Sequence, residues 1–143
     1  MITEMTKGLV KASLPVLKPQ GDAITARMYE LLFEKYPQVK PLFANAPNNQ
    51  SRILTQSIIA YGEHIDDLST LSSALEQIAR KHVAVGVQPD YYPLVGESLL
   101  QAFKEILDES VTDEIISAWQ EAYFFLAEQL MQRERELLAL QRT

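Results

Sequence analysis

No cysteine occurs among the 143 residues, so disulfides, thiolate metal sites, iron–sulfur clusters and CxxCH-type covalent cofactor attachment are excluded. Basic side chains are outnumbered 13 to 19, giving a formal charge of −6. That deficit argues against nucleic acid or an anionic membrane surface as partner, because both need clustered Lys and Arg. No run of about 18 apolar residues occurs, and Met1-Ile2-Thr3-Glu4 lacks the basic start and apolar stretch of a secretory leader. The expectation is a cytoplasmic protein without stable membrane insertion. Only five glycines are present, alternating β-branched stretches are absent, and no repeat or low-complexity tract appears. What remains is ordinary globular composition, 47% apolar and 22% charged. Residues 1–143 are expected to form a single domain around one core.

Apolar residues recur at three- and four-residue steps almost throughout, which predicts a chain that is nearly all helix. Thr3 can cap a first helix reaching towards Leu17, with Pro15 bending or ending it and Pro19-Gln20-Gly21 marking a break. A second helix from about Asp22 turns Ile24, Met28, Leu31, Leu32 and Phe33 inward and stops at Tyr36-Pro37. A short turn from Pro37 to Phe43 and a loop from Ala44 to Asn49 follow. Asn48 or Asn49 can cap the next helix, whose stripe is Leu54, Ile58, Tyr61 and Ile65, with Gln50 one turn ahead on the same side. From Ser69 or Ser72, the positions Leu71, Leu75, Ile78, His82 and Val85 share one face, and Gly86 ends that helix. Pro89 opens a stripe of Tyr92, Val95, Leu99, Phe103 and Ile106. Thr112 begins the last helix, with Ile115, Trp119, Tyr123, Leu126 and Leu130 inward and Asp113 and Glu114 at the positive end of its dipole.

Three positions break the pattern. His82 sits in an apolar stripe, where an imidazole must satisfy both ring nitrogens or give one to a metal. A core histidine bonded to protein is one reading. A metal ligand is the other, and zinc is disfavoured because no second His or Cys stands at ligand spacing. Haem asks only for one axial nitrogen and an apolar slot. His64, flanked by acidic residues, reads as a surface residue. Tyr29 lies on the inward side of the second helix and can donate a phenolic hydrogen bond to a ligand or reach water. Glu134 falls on the same side as Trp119 and Leu130, either as a buried carboxylate or as part of a solvated helix end.

Leu14-Pro15-Val16-Leu17, Tyr29 to Phe33, Tyr36-Pro37 through Pro41-Leu42-Phe43, Lys81-His82 with Gly86-Val87, Tyr92-Pro93-Leu94-Val95-Gly96, and Trp119 with Ala122-Tyr123 together resemble the bacterial single-domain haemoglobins and the globin domain of flavohaemoglobins. The resemblance spans nearly the whole chain. It implies an all-α globin fold, a three-over-three helical sandwich enclosing haem b. His82 would be the proximal iron ligand and Phe43 the aromatic against the haem face. Tyr29, Gln50 and Leu54 would face the bound ligand, Tyr29 as hydrogen-bond donor. Tyr92 and Glu134 would surround the ligating histidine, the carboxylate fixing the ring and enriching it in electrons. Val87, Val95 and Tyr123 would contact the porphyrin, and Lys81 would reach a propionate.

Two departures accompany the resemblance. Many relatives have Gln-Pro and a longer preceding loop where this chain has Gln50-Ser51, and serine restores the amide donor that proline lacks. The sequence also ends at Thr143 without flavin- and nicotinamide-binding reductase domains. Two functions follow. One is binding and delivery of oxygen, with nitric oxide as a further ligand. The other is nitric oxide dioxygenase chemistry, with Tyr29, Tyr92 and Glu134 in catalytic roles and electrons from a separate NAD(P)H-dependent reductase, unless the chain is a piece of a longer protein. A monomer or weak homodimer is expected. A haem-free interaction module and a two-ligand b-type cytochrome are the remaining classes, the latter without motif support at Met28 or Met131.

Overall fold

Thr3 opens the first helix as its sequence predicts: its hydroxyl accepts the Thr6 amide at 3.1 Å, and α1 runs Glu4–Leu17 with Pro15 in its last turn. The computed structural model describes residues 2–44, 46 and 48–141, so Asn45 and Pro47 of the expected loop lie outside the described residues. The expected break at Pro19–Gly21 is a tightened turn instead. A 3₁₀ turn, Lys18–Gln20, leads into α2, Gly21–Lys35, and Gly21 keeps helical dihedrals of φ −56° and ψ −46°. Glycine is needed there for approach rather than for turning, since a Cβ would meet Thr55 Cγ2 at 2.5 Å. Pro37–Phe43 forms a 3₁₀ segment.

The third helix, α3, is Gln50–Glu63; Asn49 stands at its N-cap but its side chain makes no capping bond. A 3₁₀ turn, Leu68–Leu71, precedes α4, Ser72–Val85. Gly86 ends α4 at φ +83°, a left-handed conformation that costs glycine little, and the His82 carbonyl accepts both the Gly86 and Val87 amides at 3.0 Å. Next, α5 occupies Tyr91–Leu107, two residues beyond Pro89. After a 3₁₀ turn at Asp108–Ser110, Thr112 caps α6 by accepting the Ile115 amide at 3.2 Å, and that helix continues over Asp113–Gln141.

The helices stack in two all-α layers, as the resemblance implies, with no strand among the described residues. In one layer α5 packs between α2 and α6; α1 and α3 cross over α6 and α2, and α4 lies on α6. Between α3 and α4 the described residues make little contact.

The interior is divided into a larger and a smaller cluster of buried side chains. The larger cluster gathers Val10, Leu17, Ile24, Met28, Tyr61, Leu99, Phe103 and Trp119 from α1, α2, α3, α5 and α6. Its polar atoms are paired: Trp119 Nε1 donates to Ser13 Oγ at 2.9 Å, and the Tyr61 hydroxyl donates to the Ala122 carbonyl at 2.7 Å. A smaller cluster joins Ala79, Tyr92, Ala127, Leu130 and Leu137 from α4, α5 and α6. Tyr123 and Leu126 pack against both. A domain commonly has one contiguous core plus smaller satellite clusters, and here the boundary between the two has a definite place. It falls along the line where α3 and α4 fail to pack together. Val85, expected inward, is 45% exposed at the end of α4.

Candidate functional site

Residues from three helices converge on His82. Its ring projects from α4 with Nδ1 at 2.9 Å from the Tyr92 hydroxyl of α5 and 3.0 Å from Glu134 Oε2 of α6. The Tyr92 hydroxyl itself donates to Glu134 Oε2 at 2.6 Å. Glu134 is buried at 7% exposure, whereas the His82 side chain is 30% exposed.

Counting protons fixes the tautomer. An ionised carboxylate only accepts, and the single phenolic proton of Tyr92 is committed to it. Only a proton on His82 Nδ1 can therefore satisfy both short contacts. A neutral imidazole then carries its lone pair on Nε2, which has no partner among the described residues. Burial and the bond to Glu134 both push the Tyr92 phenol above its ordinary range, so it holds its proton at neutral pH. The site thus presents one basic nitrogen, oriented from behind by an anion, as metal-ligating imidazoles are. Among the described residues no group of three or more His, Asp and Glu side chains converges on a common point.

A second polar pair lies on α2 and α3. Gln50 Nε2 approaches the Tyr29 hydroxyl at 3.4 Å, while Gln50 Oε1 is buried with no partner among the described residues. Tyr29 packs edge-on against Phe43 and tilted against Phe33, with centroids 5.3 and 5.7 Å apart. Burial raises the Tyr29 phenol above its ordinary range, and the Gln50 bond offsets part of that rise. As donor to Tyr29, Gln50 leaves the phenolic proton free for another acceptor.

Leu54, Ile58, Leu75, Ile78, Val87 and Val95 stay half-buried, the first two on α3 and the rest on or beside α4 and α5. Residues 26–130 match the model of the family described as Globin. The chain belongs to the globin family. Haem-based binding of oxygen and nitric oxide is that family's chemistry.

An uncharacterised globin-like protein of Aquifex aeolicus is 49% identical over 96% of this chain and 97% of its own length. The flavohemoprotein of Rhizobium meliloti is 43% identical over 96% of this chain. This globin spans only 35% of that relative's length. Among solved structures, an engineered carbene transferase from Rhodothermus marinus, presumptively a nitric oxide dioxygenase, superposes with TM-score 0.95 at 39% identity, each chain fully covered. A bacterial globin from Campylobacter jejuni gives 0.87 at 29% identity, covering 96% of this chain and 99% of its own.

The residues of this globin fit a haem. His82 Nε2 offers the single axial nitrogen, and the divided interior offers half-buried aliphatic side chains where a flat apolar group would join the two clusters. His64, at the C-cap of α3, is exposed and lies outside this arrangement. Lys81 is also exposed and makes no ion pair among the described residues. No helix among the described residues is long and apolar enough to cross a membrane.

Some of the machinery was not visible in the sequence pattern. Tyr123, expected as an inward aromatic and a porphyrin contact, also donates its hydroxyl to the Tyr92 carbonyl at 2.7 Å. Its ring lies so close to Gly96 that a Cβ there would meet Cε2 at 2.6 Å. Gly96→Ala must displace a half-buried, tethered ring, and is expected to cost about 1–3 kcal/mol. An unfolding midpoint equal to that of the parent would contradict this account of the α5–α6 approach. Arg133 makes a two-pronged bond to Glu76, at 2.6 and 2.9 Å, which ties α4 to α6 beside Glu134.

Proposed function

We propose that this globin binds haem b through His82 Nε2 and serves to capture and deliver oxygen. The carrying observation is the pair of short contacts from His82 Nδ1 to Tyr92 and Glu134, which orients the ring and leaves Nε2 turned to the edge of the apolar interior. When bound, haem supplies an iron whose remaining coordination position takes a diatomic ligand. Phe43, Leu54, Val87, Val95 and Tyr123 would contact the porphyrin, and Lys81 would reach a propionate. Tyr29 would offer its free proton to the ligand, Gln50 would hold the Tyr29 hydroxyl, and Leu54 would fill space beside it. Addition of hemin to the purified chain is expected to give a one-to-one Soret band, with a reversible change on exposure of the reduced form to oxygen. No hemin uptake, or a closed spectrum indifferent to oxygen, would overturn the reading.

A second reading is favoured by the buried carboxylate behind the imidazole. In it the protein converts nitric oxide and oxygen to nitrate, with one electron returned each cycle by an NAD(P)H-dependent flavin reductase in the same compartment, the cytoplasm. Glu134 enriches His82 in electrons, and Tyr92 tempers that donation because its proton occupies the same carboxylate oxygen. Opposite signs follow. Glu134→Gln keeps an acceptor but removes the charge and should raise the haem reduction potential. Tyr92→Phe releases the oxygen to His82 and should lower it. Effects of tens of millivolts are expected, since about 59 mV corresponds to tenfold for one electron. Spectroelectrochemical titration showing both variants shifted in the same direction would refute the competition.

A further inference from the structure

The hydrogen bond between Gln50 and Tyr29 is long, at 3.4 Å, and Gln50 Oε1 has no partner among the described residues. So weak a contact cannot by itself hold two side chains from different helices in register. Nor does the start of α3 hold itself, because the Asn49 side chain makes no cap. One residue further on, the Ser51 carbonyl accepts the Thr55 hydroxyl at 2.9 Å and lies 3.0 Å from the Thr25 hydroxyl of α2. The two threonine oxygens are 2.9 Å apart, and Thr25 Oγ1 is also 3.2 Å from the Asp22 carbonyl. Thr25 and Thr55 are buried at 1% and 6% exposure. Beside them Gly21 has no Cβ, which lets Thr55 Cγ2 come within 2.5 Å of where that atom would be. A buried polar cluster of this kind is costly unless fully paired, and once paired it specifies one arrangement.

We infer that Thr25 and Thr55 are positioning residues for the ligand-facing pair: their hydroxyls clamp the first turn of α3 onto α2 and so set the distance between Gln50 and Tyr29. Thr25 is four residues before Tyr29 on α2, and Ser51 immediately follows Gln50. The clamp therefore acts one turn from the phenol and one residue from the amide. Its consequence for oxygen rests on the haem reading above, but the positioning itself does not.

The test uses the full chain and two readouts. In haem-free protein, the Gln50 side-chain amide protons are followed by nitrogen-15 NMR. In hemin-loaded protein, the oxygen release rate and the carbon monoxide stretching band are measured. Thr25→Val keeps the shape and removes one hydroxyl. It is expected to move the Gln50 amide pair towards the positions of a freely rotating glutamine, to broaden or split the carbon monoxide band, and to speed oxygen release about three- to tenfold. Thr25→Ser keeps the hydroxyl and should behave as the parent. In a Gln50→Ala background, Thr25→Val should add less than twofold to oxygen release, because the residue it positions is gone. Thr55→Val provides a second route if Thr25→Val does not accumulate. The inference is overturned if Thr25→Val leaves the Gln50 amides unmoved, if Thr25→Ser matches Thr25→Val, or if the double variant shows the full additive effect. Failure of hemin uptake alone would remove the haem reading and leave the NMR result decisive for the clamp.

Discussion

Replacing His82 by alanine is expected to weaken hemin uptake by more than the roughly 10–100-fold that loss of an outer partner costs a metal site. Added imidazole should restore the spectrum. The size of the effect follows from scarcity, for the chain has two histidines and no cysteine. His64 is exposed at the C-cap of α3, away from the divided core, so His64→Ala should bind as the parent does. Met28 is buried inside the larger cluster, which also holds Ile24, Leu17 and Phe103. The variant has a second consequence. Glu134, 7% exposed, loses the His82 proton and keeps only the Tyr92 hydroxyl. A buried carboxylate short of a partner costs about 1–3 kcal/mol, so the haem-free variant should also melt below the parent. Hemin titration within about threefold of the parent would show that His82 is not the ligand, whatever its stability.

The local signals in the sequence carried the architecture further than the packing. Hydroxyls at Thr3 and Thr112 cap the helices they precede, and Gly86 adopts the left-handed turn that its position demands. Each depends on neighbours within four residues, which periodicity can read. The divided interior could not be read that way, because a half-buried Ile78 or Val95 and a fully buried Leu99 have the same place in a helical stripe. Polar pairing was legible only where a polar residue interrupted an apolar stripe. Glu134 and His82 did so, and they meet across 52 positions of sequence. Thr25 and Thr55 did not, since threonine is unremarkable on a helix and their contact with Ser51 arises from the close crossing at Gly21. Tyr123 was visible as an inward aromatic, but its hydroxyl's destination, a backbone carbonyl 31 positions away, carries no side-chain signature.

Loss of the Tyr29 hydroxyl should have the largest effect on ligand release. Tyr29→Phe keeps the ring, which packs on Phe33 and Phe43, and removes the one proton that the protein leaves uncommitted there. Burial raises the phenol above its ordinary range, so at neutral pH this group is a donor and never a phenolate. Bound dioxygen carries partial negative charge, and a donor aimed at developing charge in a water-poor site contributes about 1–3 kcal/mol. At about 1.4 kcal/mol per decade, oxygen release should accelerate roughly 5–140-fold. Carbon monoxide, which accepts much less charge, should leave at nearly the parental rate, and this contrast separates hydrogen bonding from a general loosening of the pocket. Gln50→Ala should do less than Tyr29→Phe, because its amide contacts the phenol at 3.4 Å and its other terminal atom has no partner among the described residues. Stopped-flow release of both gases decides the matter: equal acceleration for oxygen and carbon monoxide, or an oxygen rate within about twofold of the parent, would show that the Tyr29 proton serves something other than the ligand.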